Sequence, residues 1–166
     1  MQTDLVIRPA GPHDHAALAE MLMPVFRAGD TYTVDPAIAP EDALAYWCAP
    51  DKTVFLAQGA KDGVALGSYY IRPNQAGGGA HVCNCGFVTA LAARGQGVAR
   101  SMLDHALGQA VAQGYRAMQF NFVVSTNSRA IAIWEGAGFR TLARLPGAFR
   151  HPTLGYVDAL VMWKDL

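Results

Sequence analysis

The hexapeptide Arg94-Gly95-Gln96-Gly97-Val98-Ala99, with the helical pattern that follows it, constrains this chain more than any other stretch. Two glycines one residue apart leave the backbone free of Cβ atoms, so it can take positive φ at both positions. Directly after them Val98, Met102, Leu103, Ala106, Leu107, Ala110 and Val111 recur at intervals of three and four, the spacing of a helix with one buried face. A glycine turn that opens a helix aims unpaired N–H groups and the positive end of the helix dipole at one point. A phosphate or pyrophosphate is stabilised there. The same turn also serves as a plain lead-in to a helix, and the surrounding sequence has to decide between the two.

A chain of 166 residues suffices for one domain with a substantial core. With 52% hydrophobic and 16% charged residues, it reads as globular rather than disordered. Lys plus Arg and Asp plus Glu number 13 each, which gives no reason to expect a nucleic-acid or membrane surface. No apolar run approaches the length of a transmembrane helix, and Gln2, Thr3 and Asp4 do not begin a basic-then-apolar signal region. Cys48, Cys83 and Cys85 cannot all pair with one another and lack the spacing of a disulfide scaffold. The expectation is one domain over residues 1–166 in a cytoplasmic protein.

Residues 5–8 read as a first strand closed by Pro9, and residues 12–27 as a helix ended by Gly29, with Pro24 expected to kink or break it. Residues 31–39 hold Pro36, are followed at once by Pro40, and show little periodicity, so they form a loop, one placed to cover a site. A short helix follows from Pro40 to about Cys48, its first turn acidic at Glu41 and Asp42. Residues 53–58 and 64–72 read as strands joined through Asp62-Gly63, a hairpin signal, and residues 80–89 as another strand. After the glycine loop and its helix, residues 117–125 form a strand with Met118, Phe120, Phe122 and Val124 on one face. Asn127 or Ser128 caps a helix through Ala137 that Gly138 closes. Residues 141–149 and 156–164 complete the chain as strands. The pattern is α/β.

Arg94 to Ala99, followed about thirty residues later by Asn127-Ser128-Arg129-Ala130 and Trp134 with Gly138-Phe139, strongly resembles the GNAT superfamily of acetyl-coenzyme A-dependent N-acetyltransferases. The first segment is similar to that family's Arg/Gln-x-x-Gly-x-Gly/Ala pyrophosphate loop, the second to its Asn-x-x-Ala…Tyr-x-x-x-Gly-Phe segment. The resemblance implies a GNAT fold: a mixed, mostly antiparallel sheet of about seven strands flanked by about four helices, with a splayed central strand pair. It implies acetyl-coenzyme A as cosubstrate, held by Arg94, Gly95, Gln96, Gly97, Val98 and Ala99, with Asn127 and Trp134 alongside. Val88 and Thr89 would hold the pantetheine arm on the free edge of the splayed strand and steady the oxyanion.

Three positions depart from the family pattern. Leu91 stands where a proline is usual. Trp134 stands where many members have a tyrosine that protonates the leaving thiolate; an indole N–H can donate a hydrogen bond but cannot give up a proton near neutral pH. No Asp or Glu lies between Ala80 and Ala93, where a general base often sits. Within those strands Asn84 and Asn121 interrupt apolar faces, and a buried amide without a partner costs about 1–3 kcal/mol. Each either bonds a neighbouring loop or faces the cleft and orients substrate. Segments around Asn84, Asn121 and Pro146-Gly147-Ala148-Phe149 further resemble the subgroup that includes the fungal azetidine-2-carboxylate acetyltransferases. That implies a small amine or imino-acid acceptor held by the two asparagines.

Asp158 stands in an apolar strand, where it either pairs with a basic or hydroxyl group or meets a substrate ammonium. His81 and His151 have the chemistry of a base, but lone histidines near strand ends are usually structural or solvated. Cys83 and Cys85 share one face as packed thiols with no second ligand pair, so no metal is expected. Tyr69 and Tyr70 are candidates to line the cleft. The expected activity is direct acetyl transfer to a small amine, with a homodimer allowed. The alternative, motivated by the missing acid and base, is a non-catalytic acyl-coenzyme A sensor.

Overall fold

The strand-forming stretches in the first half of the chain are mostly apolar runs, which fold into strands buried on both faces. The computed structural model describes residues 4–166. In it β1 (Leu5–Pro9), β2 (Thr53–Gly59), β3 (Ala65–Pro73) and β4 (Val82–Thr89) form successive antiparallel pairs. β5 (Ala117–Val124) then joins β4 in parallel, and β6 (Arg140–His151) and β7 (Gly155–Asp165) complete a seven-stranded sheet ordered β1-β2-β3-β4-β5-β7-β6. All pairs but one are antiparallel, as the sequence predicts.

Four α-helices cover the sheet. On one face α1 (His15–Ala28) and α2 (Pro40–Trp47) pack Leu18, Leu22, Phe26 and Trp47 against Leu56, Tyr70 and Val88. On the other, α3 (Val98–Ala112) and α4 (Ser128–Gly136) pack Val98, Met102, Leu103 and Trp134 against Tyr69, Cys83, Cys85, Met118 and Phe120. Residues i and i+2 of a strand share a face, so Tyr69 and Tyr70 fall into different cores. Tyr69 is fully buried and its hydroxyl shares a hydrogen bond with His105 Nδ1 at 2.7 Å, while the Tyr70 ring meets Trp47 edge-on at 4.9 Å.

Two details differ from the sequence-based expectation. α1 runs through Pro24 to Ala28 without breaking; the carbonyl that Pro24 leaves without a donor belongs to exposed Glu20, where water serves it. In β5 the register shifts between Phe120 and Val123, so strict alternation fails there: Phe120 and Val123 both enter the α3/α4 core and Phe122 does not. Such a bulge re-aims side chains. Asn121 sits on it.

The site depends on how briefly β4 and β5 pair. Their register covers only Val82 with Ala117 and Cys83 with Met118. Above that the strands part, kept open on the α3/α4 side by the rings of Phe87, Phe120 and Trp134, whose centroids lie 5.0–6.2 Å apart. At the base of the fork the Asn84 carboxamide donates to the Gln119 carbonyl at 3.0 Å, supplying a partner that the ladder no longer provides.

Candidate active site

The fork gives β4 one edge with no strand beside it. Main-chain bonds from Asn74 to the Val82 carbonyl and from Ala90 to the Leu66 carbonyl, at 2.8 and 2.9 Å, bracket the β3–β4 ladder. Antiparallel alternation therefore turns the main chain of Asn84, Gly86 and Val88 toward β3 and that of Cys85, Phe87 and Thr89 into the fork. The edge expected of Val88 and Thr89 thus belongs to Phe87 and Thr89. The main chain of Val88 points to β3 and its side chain is 3% exposed in the α1/α2 core, while the residue still lines the cleft.

A cleft of about 1100 Å³ runs along this edge. One end is the glycine turn. Gly95 and Gly97 take φ of +80° and +82°, a region that strains any side-chain-bearing residue, and nothing lies within 4 Å of where their Cβ atoms would be. The first helical bond of α3 runs from Ser101 N–H to the Gly97 carbonyl, leaving the N–H groups of Val98, Ala99 and Arg100 without an intrahelical acceptor. Gln96 differs: its N–H donates to the Ala93 carbonyl and its Nε2 to the Ala92 carbonyl, so it braces the turn. Arg94, Arg100 and Arg129 line the same end. Asn127 caps α4, its Oδ1 accepting from Ala130 N–H at 3.4 Å.

Trp134 walls the cleft, 8% exposed and packed on Phe87 and Phe120. Cys85 also lines it, but burial pushes its thiol well above the usual range, so it stays protonated and is no nucleophile. The α1–α2 loop forms the roof through Thr31, Tyr32 and Thr33. The Tyr32 hydroxyl donates to the Phe87 carbonyl at 2.7 Å. Burial raises that phenol well above its ordinary pKa, so it remains an O–H donor.

The end away from the cradle carries amides and an arginine. Asn84 is 7% exposed, with Nδ2 on the Gln119 carbonyl and Oδ1 accepting from Arg72 Nε at 3.4 Å. Asn121 donates from Nδ2 to Asn74 Oδ1 at 2.7 Å and accepts at Oδ1 from Gln119 Nε2 at 3.0 Å. Both line the cleft. Tyr70 does too, its ring lying across Gly86 so closely that a Cβ there would stand 2.5 Å from it.

Other expected residues fall elsewhere. Asp158 does not line the cleft. Its carboxylate accepts from Gly147 N–H at 2.9 Å and from Arg144 Nη1 at 2.7 Å, closing an irregularity of β6 between Leu145 and Phe149. The backbone bond first, then the guanidinium, hold its pKa below the ordinary value. Of the two readings of Asp158, the structure shows the pairing with a basic group, at the surface. His81 is exposed and outside the cleft lining. His151 reaches the rim, but its Nδ1 accepts from the N–H groups of Thr153 and Leu154 at 3.2 Å.

Sequence reading passed over Tyr32, Arg72, Gly86 and Asp30, the one carboxylate lining the cleft. No periodic or motif signal marks them, since the tertiary fold alone brings them to the fork. Among the described residues no cluster of three or more His, Cys, Asp or Glu could hold a metal ion, and no helix is long and apolar enough to cross a membrane.

A forked sheet beside a glycine-opened helix is an arrangement with known relatives. The model of the acetyltransferase (GNAT) family matches residues 16–139. A GCN5-related N-acetyltransferase from Kribbella flavida superposes with a TM-score of 0.93 at 40% identity, covering 98% of both chains. The structure of yncA from Salmonella typhimurium with its cofactor acetyl-CoA shares the fold, with a TM-score of 0.83 at 21% identity over 98% of this chain and 94% of that one. The N-acetyltransferase aca1 of Schizosaccharomyces pombe is 35% identical over 99 residues, 58% of this chain and 46% of aca1. The chain therefore spans about half the length of that curated relative. This chain belongs to the GNAT acetyltransferase family.

Proposed function

We propose that the chain is one catalytic domain that transfers the acetyl group of acetyl-coenzyme A directly to the nitrogen of a small amine, with amino and imino acids the favoured class. The observation that carries this is the alignment of two features in one cleft: the outward main-chain groups of Phe87 and Thr89, and the open N–H groups of Val98, Ala99 and Arg100. The first suits the amides of a pantetheine arm, the second a pyrophosphate. Acetyl-coenzyme A supplies an acyl group activated as a thioester.

The remaining work falls to the protein. An N–H of Phe87 or Thr89 stabilises the oxygen that gains charge as the amine attacks, a contribution of about 2.7–4 kcal/mol for one such donor. Asn84 and Asn121 position the acceptor without deprotonating it, because carboxamides are not bases. Asp30 collects the ammonium's proton through water. Water or a nearby N–H assists the departing sulfur. Arg94 and Gln96 support the cradle, and Asn127 and Trp134 shape its far wall. Asp158 belongs to the frame of β6 rather than to the chemistry.

The roof formed by residues 31–39 favours a small acceptor over a folded protein surface. The unpaired outer edge of β6, with Leu142 exposed beside it, supports a homodimer, which light scattering on the eluting protein would test. A cytoplasmic setting fits an acetyl-coenzyme A donor. The deciding experiment is thiol release from acetyl-coenzyme A with a panel of small amines. Release with at least one amine is expected. Binding of coenzyme A without release by any amine would overturn catalysis in favour of a sensor.

A further inference from the structure

The chain has no net charge, yet its cleft is lined by four arginines and a single aspartate. Three of those arginines, Arg94, Arg100 and Arg129, gather where α3 and α4 begin, where a pyrophosphate has use for them. Arg72 stands apart. It lies near the end of β3 directly opposite Asn84 in the ladder and projects to the same face as Tyr70, with its side chain 32% exposed. Its partners are both distant: Asn84 Oδ1 and the exposed carboxylate of Asp51, each at 3.4 Å. A guanidinium has five N–H donors in a planar fork, so these two contacts leave donors for an anion. Lys52 places a second cation behind the same wall, its Nζ 4.3 Å from the centre of the Tyr70 ring.

The geometry points to Arg72 as the group that recognises a carboxylate on the acceptor amine. This rests on the acetyltransferase reading of the cleft. Arg72 and Asn84 stand three residues along the sheet from Phe87, whose main chain faces into the fork. Bidentate pairing with a carboxylate is the chemistry a guanidinium performs best, and the long Asp51 contact yields to it.

The test uses L-proline, L-alanine and L-phenylalanine, each against its C-terminal amide, in two assays: thiol release from acetyl-coenzyme A, and calorimetric binding to the protein saturated with coenzyme A. The wild-type protein is expected to prefer at least one acid over its amide by about tenfold or more, the discrimination that a buried charge-assisted pair supplies. Arg72→Gln is expected to abolish that preference by raising the acid's KM or Kd more than the amide's, while the KM for acetyl-coenzyme A stays within about twofold. Arg72→Lys should recover part of it, since it restores charge without the fork. Equal use of acids and amides by the wild type, or an unchanged preference in Arg72→Gln, would overturn the assignment. Acid-selective binding without thiol release would support the carboxylate site and count against catalysis, so the two readings fail separately.

Discussion

The Tyr32 hydroxyl hydrogen-bonds the Phe87 carbonyl at 2.7 Å, fastening the α1–α2 loop to the β4 edge that faces the cleft. At the other end of that loop, Arg27 donates to the Pro36 carbonyl. Tyr32→Phe keeps the ring, which packs edge-on against Phe26 and Trp47, and removes only this latch. Its expected cost is about 0.5–1.5 kcal/mol in stability, with a severalfold rise in acceptor KM and kcat within about tenfold. Denaturant titration and steady-state kinetics read both. A kcat loss above a hundredfold at unchanged KM would instead make Tyr32 the proton donor to sulfur.

Asn84 is expected to carry more stability than an ordinary strand residue, because its Nδ2 serves the carbonyl that β5 exposes where the fork opens. Asn84→Ala strands that carbonyl at a buried position, for a predicted loss of about 1–3 kcal/mol in urea unfolding. Asn84→Asp should not restore it, since a carboxylate has no N–H to offer Gln119.

Gly86 owes its identity to a neighbour rather than to backbone freedom. A Cβ at this position would stand 2.5 Å from Tyr70 Cε1 and 2.8 Å from its hydroxyl, and Trp47 blocks the ring's retreat. Gly86→Ala is expected to destabilise by about 1–3 kcal/mol and to raise acceptor KM while leaving the KM for acetyl-coenzyme A unchanged. Combining it with Tyr70→Leu should cost less than the sum of the two single changes.

Acid sensitivity should trace to the start of α1. Asp14 is 5% exposed and accepts from both terminal nitrogens of Arg8, at 2.9 and 2.8 Å, and from Gly11 N–H at 2.8 Å. The Arg8 guanidinium beside it holds its carboxyl well below the usual carboxylate range. A carboxylate with a depressed native pKa contributes in full above its unfolded pKa, about 3.9, and loses that contribution as pH falls toward the native value. Asp14→Asn should therefore lower stability by about 1–3 kcal/mol at pH 7 and flatten the decline of stability below pH about 4–5. Denaturation midpoints of the two proteins across pH 3–7 are expected to converge at the acid end. Parallel curves would remove Asp14 from the account.

The glycine-turn end of the cleft was legible because local sequence rules built it. Gly95 and Gly97 need positive φ, the α3 pattern has a clear period, and Asn127 caps α4 with its own side chain. Each feature lies within a few residues of its cause. The opposite end was less so. Arg72 reads only as the polar end of a strand, and Tyr32 as part of a loop rich in turns. What gives them meaning is register: Arg72 opposite Asn84, and Tyr32 against a strand 55 residues away. Asp158 shows the converse. A lone carboxylate in an apolar strand signals chemistry, but the Gly147 N–H and Arg144 that explain it come from an irregularity in β6. The turn of Val88 away from the fork likewise follows from strand pairing, which residue types alone do not specify.

Only two residue pairs join β4 to β5, so the two halves of the sheet share little backbone and rely on aromatic packing and Asn84 for the rest. A molecule that bonds the outward groups of Phe87 and Thr89 would act as a brace between them. At a free concentration one hundred times its Kd, such a ligand would add about 2.7 kcal/mol to the folded state. The protein's lifetime against unfolding and proteolysis would then rise and fall with the supply of its own donor.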